Sequence, residues 1–326
     1  MRTSLDRRKV IALCAAMGGA ALVPLGASPR RGAEPLIEWT GVMLGAVATL
    51  RLSHPDRRAG EELLRRAVAE ARRLEAIFSI YRDDTALAEL NRHGVLAAPP
   101  VELVELFRVC DDVWRATDGA FDPTVQPLWR CYADHFAAPD ADPAGPSPEA
   151  LAAAVKLVGW SNVSFNRDRV VLARRGMGLT LNGIAQGYIT DRVVDLLRRE
   201  GIASSLVDMG EIRTVGHRPD GGAWQVAIET AKPPRTFDLV DKAVATTGAN
   251  GFQFNADGRC NHLFNPATGR CAKPATNLSV VTSTAALADG LSTAFALMDE
   301  GTRPRVLARL PGTQLYVNTV KSGRLT

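Results

Sequence analysis

Residues 187–215, GYITDRVVDLLRREGIASSLVDMGEIRTV, contain the change of hydrophobic period that decides the fold class. Ile189, Val193 and Leu197 recur at the spacing of one helical face, and Gly201 is typical of a helix end, so we predict a helix over 187–199. Residues 205–215 are rich in β-branched and aliphatic side chains and predict a strand. A single helix followed directly by a strand is therefore the unit from which the fold is built.

The same alternation extends in both directions. Toward the N-terminus we predict a strand at 40–52, helices at 57–78, 101–117 and 148–158, and a hairpin at 163–172. Toward the C-terminus we predict strands at 222–230, 243–247 and 278–282 and a last helix at 285–299. Runs of strands with single helices between them indicate an α+β or mixed α/β layered fold, and argue against a doubly wound parallel sheet.

Composition and charge restrict the class of protein. The 326-residue chain is 46% hydrophobic and 6% aromatic, which is typical of globular proteins and excludes collagen-like and low-complexity chains. Its net charge of +4 arises in residues 1–35, which hold six basic and two acidic side chains. The rest of the chain has 33 basic and 33 acidic side chains, so we predict no nucleic-acid partner.

The N-terminal segment has the order of an export signal. Arg7, Arg8 and Lys9 precede an apolar stretch at 10–23, and small residues follow at 26–28. The apolar stretch of about 14 residues is shorter than the roughly 20 that a membrane-spanning helix needs. The adjacent arginines resemble a twin-arginine signal, so we predict a cleavable leader and a periplasmic protein, with an uncleaved inner-membrane anchor as the alternative.

The rest of the chain reads as one domain. We assign residues 1–35 to the export signal and linker and 36–326 to a single folded domain. The Pro- and Asp-rich run at 139–146 marks an internal boundary near 138–148 or, equally, an inserted surface loop.

Four cysteines lie beyond the predicted leader. Cys260 and Cys271 flank a turn and are the favoured disulfide pair in an oxidising compartment, whereas reduced thiols that serve as small apolar side chains are an equal alternative. The histidines are scattered and no Cys-x-x-Cys occurs, which argues against a structural zinc site.

Four segments place polar side chains where local structure does not require them: 78–91, 119–124, 180–188 and 288–294. The first is equally consistent with a simple connection between two helices, and the second with an ordinary turn. In the third, Gly183 and Gly187 open a helix, where free backbone N–H groups favour anions, although glycines are common at helix starts. In the fourth, Asp289 and Thr293 share a helical face and offer oxygens that suit Mg²⁺, with a locally capped surface aspartate as the alternative.

Together with 41–46, 207–212 and 262–269, and in this order, these segments resemble the ApbE family, the FAD:protein FMN transferases. The likeness covers nearly the whole chain after the leader. It implies an ApbE-like mixed α/β fold and an Mg²⁺-dependent enzyme that transfers the FMN moiety of FAD to a Thr or Ser hydroxyl of another protein and releases AMP. The same oxygen ligands would also admit Mn²⁺.

The resemblance also implies roles for individual residues. The positions that match the metal ligands are Asp289, Thr293, the backbone carbonyl of Gly183 and, in addition, Ser292. The positions that would line FAD are Leu44 or Met43, Tyr81, Ala120, Phe121, Asp122, Thr180, Gln186 and Phe264. The predicted catalytic residues are Asp289 and His262. An imidazole titrates near neutral pH, so His262 would take the acceptor's proton, unless it only braces the neighbouring Asn-Pro turn.

Two charged positions of the family pattern are neutral in this chain. The pattern has a carboxylate where Thr180 stands and a lysine where Gln186 stands, while Asn265 and Asn182 replace a usual Asp and Gly. Either a Thr180–Gln186 hydrogen bond replaces an ion pair, or FAD binding is weaker. Two alternative functions follow: an FAD carrier without transfer activity, and an Mg²⁺-dependent pyrophosphatase that splits FAD into FMN and AMP.

The implied partner is a flavoprotein subunit that carries an Asp-Gly-x-Ser/Thr acceptor motif, as in a membrane-bound electron-transfer protein. Residues 289–294 faintly resemble that motif themselves. We reject self-modification, because the same residues match the metal motif and a serine inside a packed helix is hard to reach.

Overall fold

The computed structural model describes residues 22–24, 35–43, 46–228 and 235–318. The strands in these residues are β1 Leu22–Pro24, β2 Leu36–Met43, β3 Ala46–Ser53, β4 Val95–Ala97, β5 Val163–Phe165, β6 Arg169–Leu172, β7 Ser205–Asp208, β8 Ile212–Val215, β9 Trp224–Ile228, β10 Arg235–Leu239, β11 Ala243–Gly248, β12 Asn277–Thr282 and β13 Gln314–Val317. The α-helices are α1 Arg57–Phe78, α2 Ala86–His93, α3 Val101–Ala116, α4 Gln126–Phe136, α5 Pro148–Val155, α6 Ala185–Arg199, α7 Ala285–Leu297 and α8 Arg303–Leu307.

Seven of these strands form the main sheet, in the order β13-β12-β11-β8-β7-β3-β2. Two smaller sheets have the orders β1-β9-β10 and β4-β6-β5. Every neighbouring pair in the described residues is antiparallel. The antiparallel sheets with helices between them confirm the predicted α+β, mixed α/β layered class, and the absence of parallel pairs among the described strands agrees with the rejection of a doubly wound fold.

Three long helices carry most of the packing around the main sheet. Helix α1 packs against α6, α6 packs against α7, and α7 lies on strands β11 and β12. Asp56 begins α1 by accepting hydrogen bonds from the N–H groups of Arg58 and Ala59. Its apolar stripe is buried as the helical spacing predicts. The predicted helix over 57–78 is confirmed at both ends.

Two predicted strands are wrong in extent, because each is a hairpin. Residues 205–215 form β7 and β8, separated by a turn at 209–211, and 40–52 falls within the hairpin of β2 and β3. Gly210 has φ +107°, and its N–H donates to Asp208 Oδ1 at 2.9 Å. A glycine backbone in this region allows a reversal that the aliphatic pattern on either side conceals.

Only a small part of the predicted leader falls within the described residues. Leu22–Pro24 pair antiparallel with β9. The prediction of a charged segment, an apolar stretch and a cleavage site otherwise concerns residues outside the described ranges. No helix in the described part of the chain combines the length and apolar character needed to cross a bilayer.

The crossing of α6 and α7 fixes the centre of the molecule. A Cβ added to Gly187 would lie 2.3 Å from the carbonyl oxygen of Ala285 and 2.7 Å from Cα of Ala286. Glycine therefore permits a backbone approach that a side chain would prevent. Asp191 of α6 accepts hydrogen bonds from the N–H groups of Ala285 and Ala286 at 2.8 and 2.9 Å and pairs with Arg213 of β8. The carboxylate thus holds the start of α7 against α6 and the sheet.

We expect Gly187→Ala to destabilise the fold by about 1–3 kcal/mol, because the new methyl group would collide with rigid backbone. Urea unfolding followed by circular dichroism measures the change. Gly301→Ala is the matched control: its Cβ would meet no atom within 4 Å, so a change within about 0.5 kcal/mol is expected. Equal stability of the two variants would contradict the close crossing.

Candidate active site

The start of α6 leaves a backbone oxygen unpaired beside a carboxylate. The N–H of Gly187 would bond to the carbonyl of Gly183 if the helix began one turn earlier, but it donates to Asp289 Oδ2 at 3.1 Å. Among the described residues the Gly183 carbonyl and Asp289 Oδ1 have no hydrogen-bond partner. Two oxygens, one just before α6 and one on α7, are thus available at the same place.

Thr293 adds a third oxygen. A Cβ on Gly183 would lie 2.9 Å from Thr293 Oγ1, so this hydroxyl is close to the Gly183 backbone. Thr293 is one helical turn after Asp289, as its i+4 spacing predicts, and all three residues line one cavity. No hydrogen bond of the Thr293 hydroxyl exists within the described part of the chain.

These three groups form a hard-oxygen donor set. A carbonyl, a carboxylate and a hydroxyl fit Mg²⁺, which usually takes one or two carboxylates and leaves positions for phosphate oxygens. The described residues contain no cluster of three or more His, Cys, Asp or Glu side chains suited to a metal. A cation here would therefore depend on neutral oxygens and on its substrate as well as on carboxylates.

Ser292 does not join this group. Its hydroxyl lies 2.6 Å from Thr247 Oγ1 of β11 and donates to the carbonyl of Asp289 at 2.9 Å. The side chain is fully buried and is not among the residues that line the cavity. The structure therefore places Ser292, predicted as an additional metal ligand, in the packing of α7 on the sheet.

The cavity opens to solvent, and the space within it, including the open part, is about 880 Å³. Its acidic lining residues are Asp122, Glu211 and Asp289, and the described lining contains neither Lys nor Arg. The predicted FAD-lining residues that reach it are Phe121, Asp122, Thr180, Gln186 and Phe264, together with His262. The site predicted from separate segments is thus brought together in one place.

Three predicted FAD contacts are not among the described residues that line this cavity. Tyr81 is not a lining residue, but its hydroxyl accepts a hydrogen bond from the side chain of Asn182, which is one. Ala120 borders a neighbouring surface depression. Leu44 lies outside the described residues, and Met43, its alternative, is buried in the core.

Asp122 has a structural explanation. Its carboxylate accepts hydrogen bonds from the N–H and hydroxyl of Thr124 at 2.8 and 2.5 Å and from the N–H of Trp160 at 2.9 Å. Burial raises the pKa of Asp122, and these hydrogen bonds oppose that rise. The group shapes the cavity wall by fixing the turn that follows it.

Thr180 and Gln186 do not bond to each other. Thr180 Oγ1 accepts a hydrogen bond from the N–H of Asn182 at 3.3 Å. The amide of Gln186 ends 2.6 Å from the position that a Cβ on Gly210 would occupy. The prediction that a Thr180–Gln186 hydrogen bond replaces the ion pair of the family pattern is therefore wrong. Gln186 instead faces the β7–β8 turn.

An aromatic cluster forms another part of the cavity wall. The ring of Phe264 lies 5.1 Å from that of Tyr132, and Trp129 packs 5.9 Å from Phe254. Trp129 and Phe264 both line the cavity. Sequence reasoning missed Trp129, because α4 lies outside every recognised motif and carries no signal except an amphipathic pattern.

His262 is partly buried, and its protonation differs from the expectation. Nδ1 lies 3.2 Å from the backbone nitrogen and 3.1 Å from the backbone oxygen of Phe252. Nε2 has no hydrogen-bond partner among the described residues. Burial lowers the pKa of His262 to about 4, so the ring is neutral at pH 7. The premise that it titrates near neutral pH is wrong, but a neutral ring retains the lone pair that accepts a proton.

Burial acts in the opposite sense on the acids. It raises the pKa of Asp289 to about 7, and the charge of Asp191 adds to the rise, while the Gly187 N–H opposes it. It raises the pKa of Asp208 to about 7 and that of Glu211 well above its ordinary range. Glu211 belongs to the segment 207–212, for which the family resemblance implied no individual role. Its burial beside other acids depends on the tertiary structure.

All four cysteines in the described residues, Cys110, Cys131, Cys260 and Cys271, are free thiols. The favoured Cys260–Cys271 disulfide is therefore not formed in this structure, and the alternative of reduced thiols is what it contains. Cys260 lies in an apolar cluster with Tyr132 and Phe264, where a thiol acts as a small apolar side chain.

We expect His262 to remain neutral down to about pH 5, because burial disfavours its charged form. Since its folded pKa of about 4 lies below the ordinary 6.5, its contribution to stability is lost as the pH falls between these values. Proton NMR titration of the ring measures this, with His262→Gln identifying the resonance. A midpoint near 6.5 would contradict a ring that its surroundings keep neutral.

The chain is similar in sequence to FAD:protein FMN transferases of other bacteria. A *Vibrio cholerae* FAD:protein FMN transferase is 30% identical over 234 residues, covering 68% of this chain and 69% of the relative. A *Klebsiella pneumoniae* FAD:protein FMN transferase is 25% identical over 338 residues and covers 99% of this chain and 94% of the relative.

A solved structure shares the fold. The apo form of the *Pseudomonas stutzeri* flavinyl transferase ApbE superposes with a TM-score of 0.76 at 26% identity, covering 91% of this chain and 94% of that one. The ApbE family model matches residues 44–317. The chain therefore belongs to the ApbE family.

Proposed function

We propose that the protein transfers the FMN moiety of FAD, with Mg²⁺, to a Thr or Ser hydroxyl of another flavoprotein and releases AMP. The observation that carries this proposal is the convergence of unpartnered oxygens from Gly183, Asp289 and Thr293 in one cavity. Family membership supports the flavin chemistry, and the donor set supports the metal.

The electrostatics of the cavity support a cation requirement for this substrate. The pyrophosphate of FAD is an anion, yet the described lining of the cavity contains acids and no Lys or Arg. Phosphate oxygens would approach Asp289 only if a cation lay between them. Gly183, Asp289 and Thr293 would hold Mg²⁺, which when bound neutralises charge on the phosphates and polarises the reacting phosphoryl group. Mn²⁺ fits the same oxygens.

Different residues would bind the flavin ring and accept the proton of the acceptor hydroxyl. Trp129 and Phe264 offer aromatic faces on which a flat ring system can stack. His262 lies on the same cavity with Nε2 unpartnered within the described residues. As the acceptor oxygen bonds to the FMN phosphorus, the bond from phosphorus to the AMP oxygen breaks and AMP leaves with its electron pair. Nε2 of His262 takes the acceptor's proton.

The partner and location follow from the same proposal. The acceptor is a flavoprotein subunit with an Asp-Gly-x-Ser/Thr motif, such as a membrane-bound electron-transfer protein. The basic and apolar order of residues 7–23 supports twin-arginine export, and modification would then take place in the periplasm.

Intact mass spectrometry tests the transfer. The full chain is incubated with FAD, Mg²⁺ and a domain that carries the acceptor motif, and we expect an FMN-sized mass gain on the domain. Asp289→Ala should lower the rate at least about 100-fold, because losing even a supporting group of a metal site costs about 10–100-fold. Asp195→Asn, about two turns along α6 from Gly187 and outside the cavity lining, is the control and should retain the rate.

The same experiment separates the alternatives. Tight FAD binding without any mass gain would favour an FAD carrier, which the neutral residues at Thr180 and Gln186 would suit. Conversion of FAD to free FMN and AMP would favour a pyrophosphatase, for which the solvent-open part of the cavity offers a path for water. Either result would replace the proposed transfer.

A further inference from the structure

Glu211 is a buried acid that the fold does not explain. Its side chain is 6% exposed, yet Oε2 has no hydrogen-bond partner within the part of the chain that the structure describes. Unpartnered buried carboxylates are rare, because removing the charge from water costs several kcal/mol unless a partner compensates. No basic side chain in the described lining of the cavity provides that compensation.

The backbone of Glu211 is nevertheless held firmly. Its carbonyl oxygen lies 3.1 Å from Thr190 Oγ1, and the same hydroxyl lies 2.9 Å from the carbonyl oxygen of Gln186 on α6. Gly210, the residue before Glu211, donates its N–H to Asp208 Oδ1 and is held in place by this bond. The β7–β8 turn therefore presents Glu211 in a fixed relation to α6, the helix that starts beside Gly183.

The Glu211 side chain faces the same space as the oxygen group on α6 and α7. Glu211, Gly183, Asp289 and Thr293 all line one cavity. Both carboxyl groups line the same cavity, so their ionised forms would repel each other. A cation between or beside them would favour the ionised form of both, since the described lining offers no basic partner.

We propose that Glu211 is the second carboxylate of the cation site, a positioning residue that enters from the β7–β8 turn and increases the affinity for the divalent ion. This rests on the proposed function for the identity of the ion and its substrate. The chemistry is that of Mg²⁺ or Mn²⁺ with two carboxylates, two neutral protein oxygens and phosphate.

Gln186 fits this assignment. Its amide ends beside Gly210, next to Glu211, at the position where the family pattern has a lysine. A lysine there would bring a positive charge to the turn that carries Glu211. The neutral Gln186 side chain cannot form an ion pair with Glu211, so the Glu211 carboxylate stays available to a cation in the cavity.

Mn²⁺ titration of the full chain tests the role directly, with free Mn²⁺ read by electron paramagnetic resonance in the presence and absence of FAD. We expect Glu211→Gln to raise the Mn²⁺ dissociation constant about 10–100-fold. Glu105→Gln is the matched control: it removes a carboxylate that accepts the Tyr188 hydroxyl at 2.7 Å, outside the cavity, and should leave the constant within about twofold.

Thermal unfolding distinguishes a cation role from a structural one. Without metal, Glu211→Gln should unfold at the same or a higher temperature than the parent chain, because the amide replaces an acid whose ionised form has no compensating basic partner in the cavity. With saturating Mn²⁺ it should gain less stability than the parent. A variant that is equally less stable in both conditions would assign Glu211 a structural role and overturn the proposal.

The remaining outcomes are also decisive. Unchanged Mn²⁺ affinity in Glu211→Gln, with binding lost in Asp289→Ala, would overturn the role of Glu211 and leave the proposed function intact. Absence of Mn²⁺ binding by the parent chain with and without FAD would overturn both. If Glu211→Gln does not fold, Glu211→Asp keeps the charge on a shorter side chain. We then expect about threefold to tenfold weaker binding, and an unchanged constant would overturn the proposal.

Discussion

The hydrogen bond from the Gly187 N–H to Asp289 is the interaction on which the site depends. It exists because Gly187 lets the backbones of α6 and α7 approach more closely than a side chain would permit. The same bond takes the donor that would otherwise bond to the Gly183 carbonyl, so one contact joins two helices and leaves an oxygen available. The close approach of α6 and α7 therefore serves both the packing of the core and the arrangement of the site. A change that separates the two helices would disrupt both.

Charge is the second organising constraint. The described lining of the cavity holds three acids, no Lys or Arg, and a histidine that burial keeps neutral. Asp122 has its hydrogen bonds within the protein, whereas Asp289 and Glu211 each keep an oxygen without one. A cavity of this kind repels a pyrophosphate by itself and accepts it with a divalent cation. The metal requirement in the proposed function follows from this imbalance.

Helix α7 shows how neighbouring positions acquire different roles. Asp289 and Thr293 face the cavity, while Ser292, adjacent to Thr293, bonds to Thr247 on the sheet. The 100° rotation between successive residues of a helix accounts for the difference. Family resemblance assigned a metal role to all three, and the helix geometry separates the two that reach the cavity from the one that holds the helix in place.

The sequence by itself determined the fold class, the long helices and most of the residues that meet in the cavity, because these depend on local periodicity and on recognisable motifs. Helix α1 was predicted at both ends, and Asp289 with Thr293 followed from i,i+4 spacing. Only the tertiary structure decided the turn at Gly210, the burial of Glu211, the place of Trp129 and the low pKa of His262. Each of these depends on which distant segments pack together, and an aliphatic pattern or a single residue type does not contain that information.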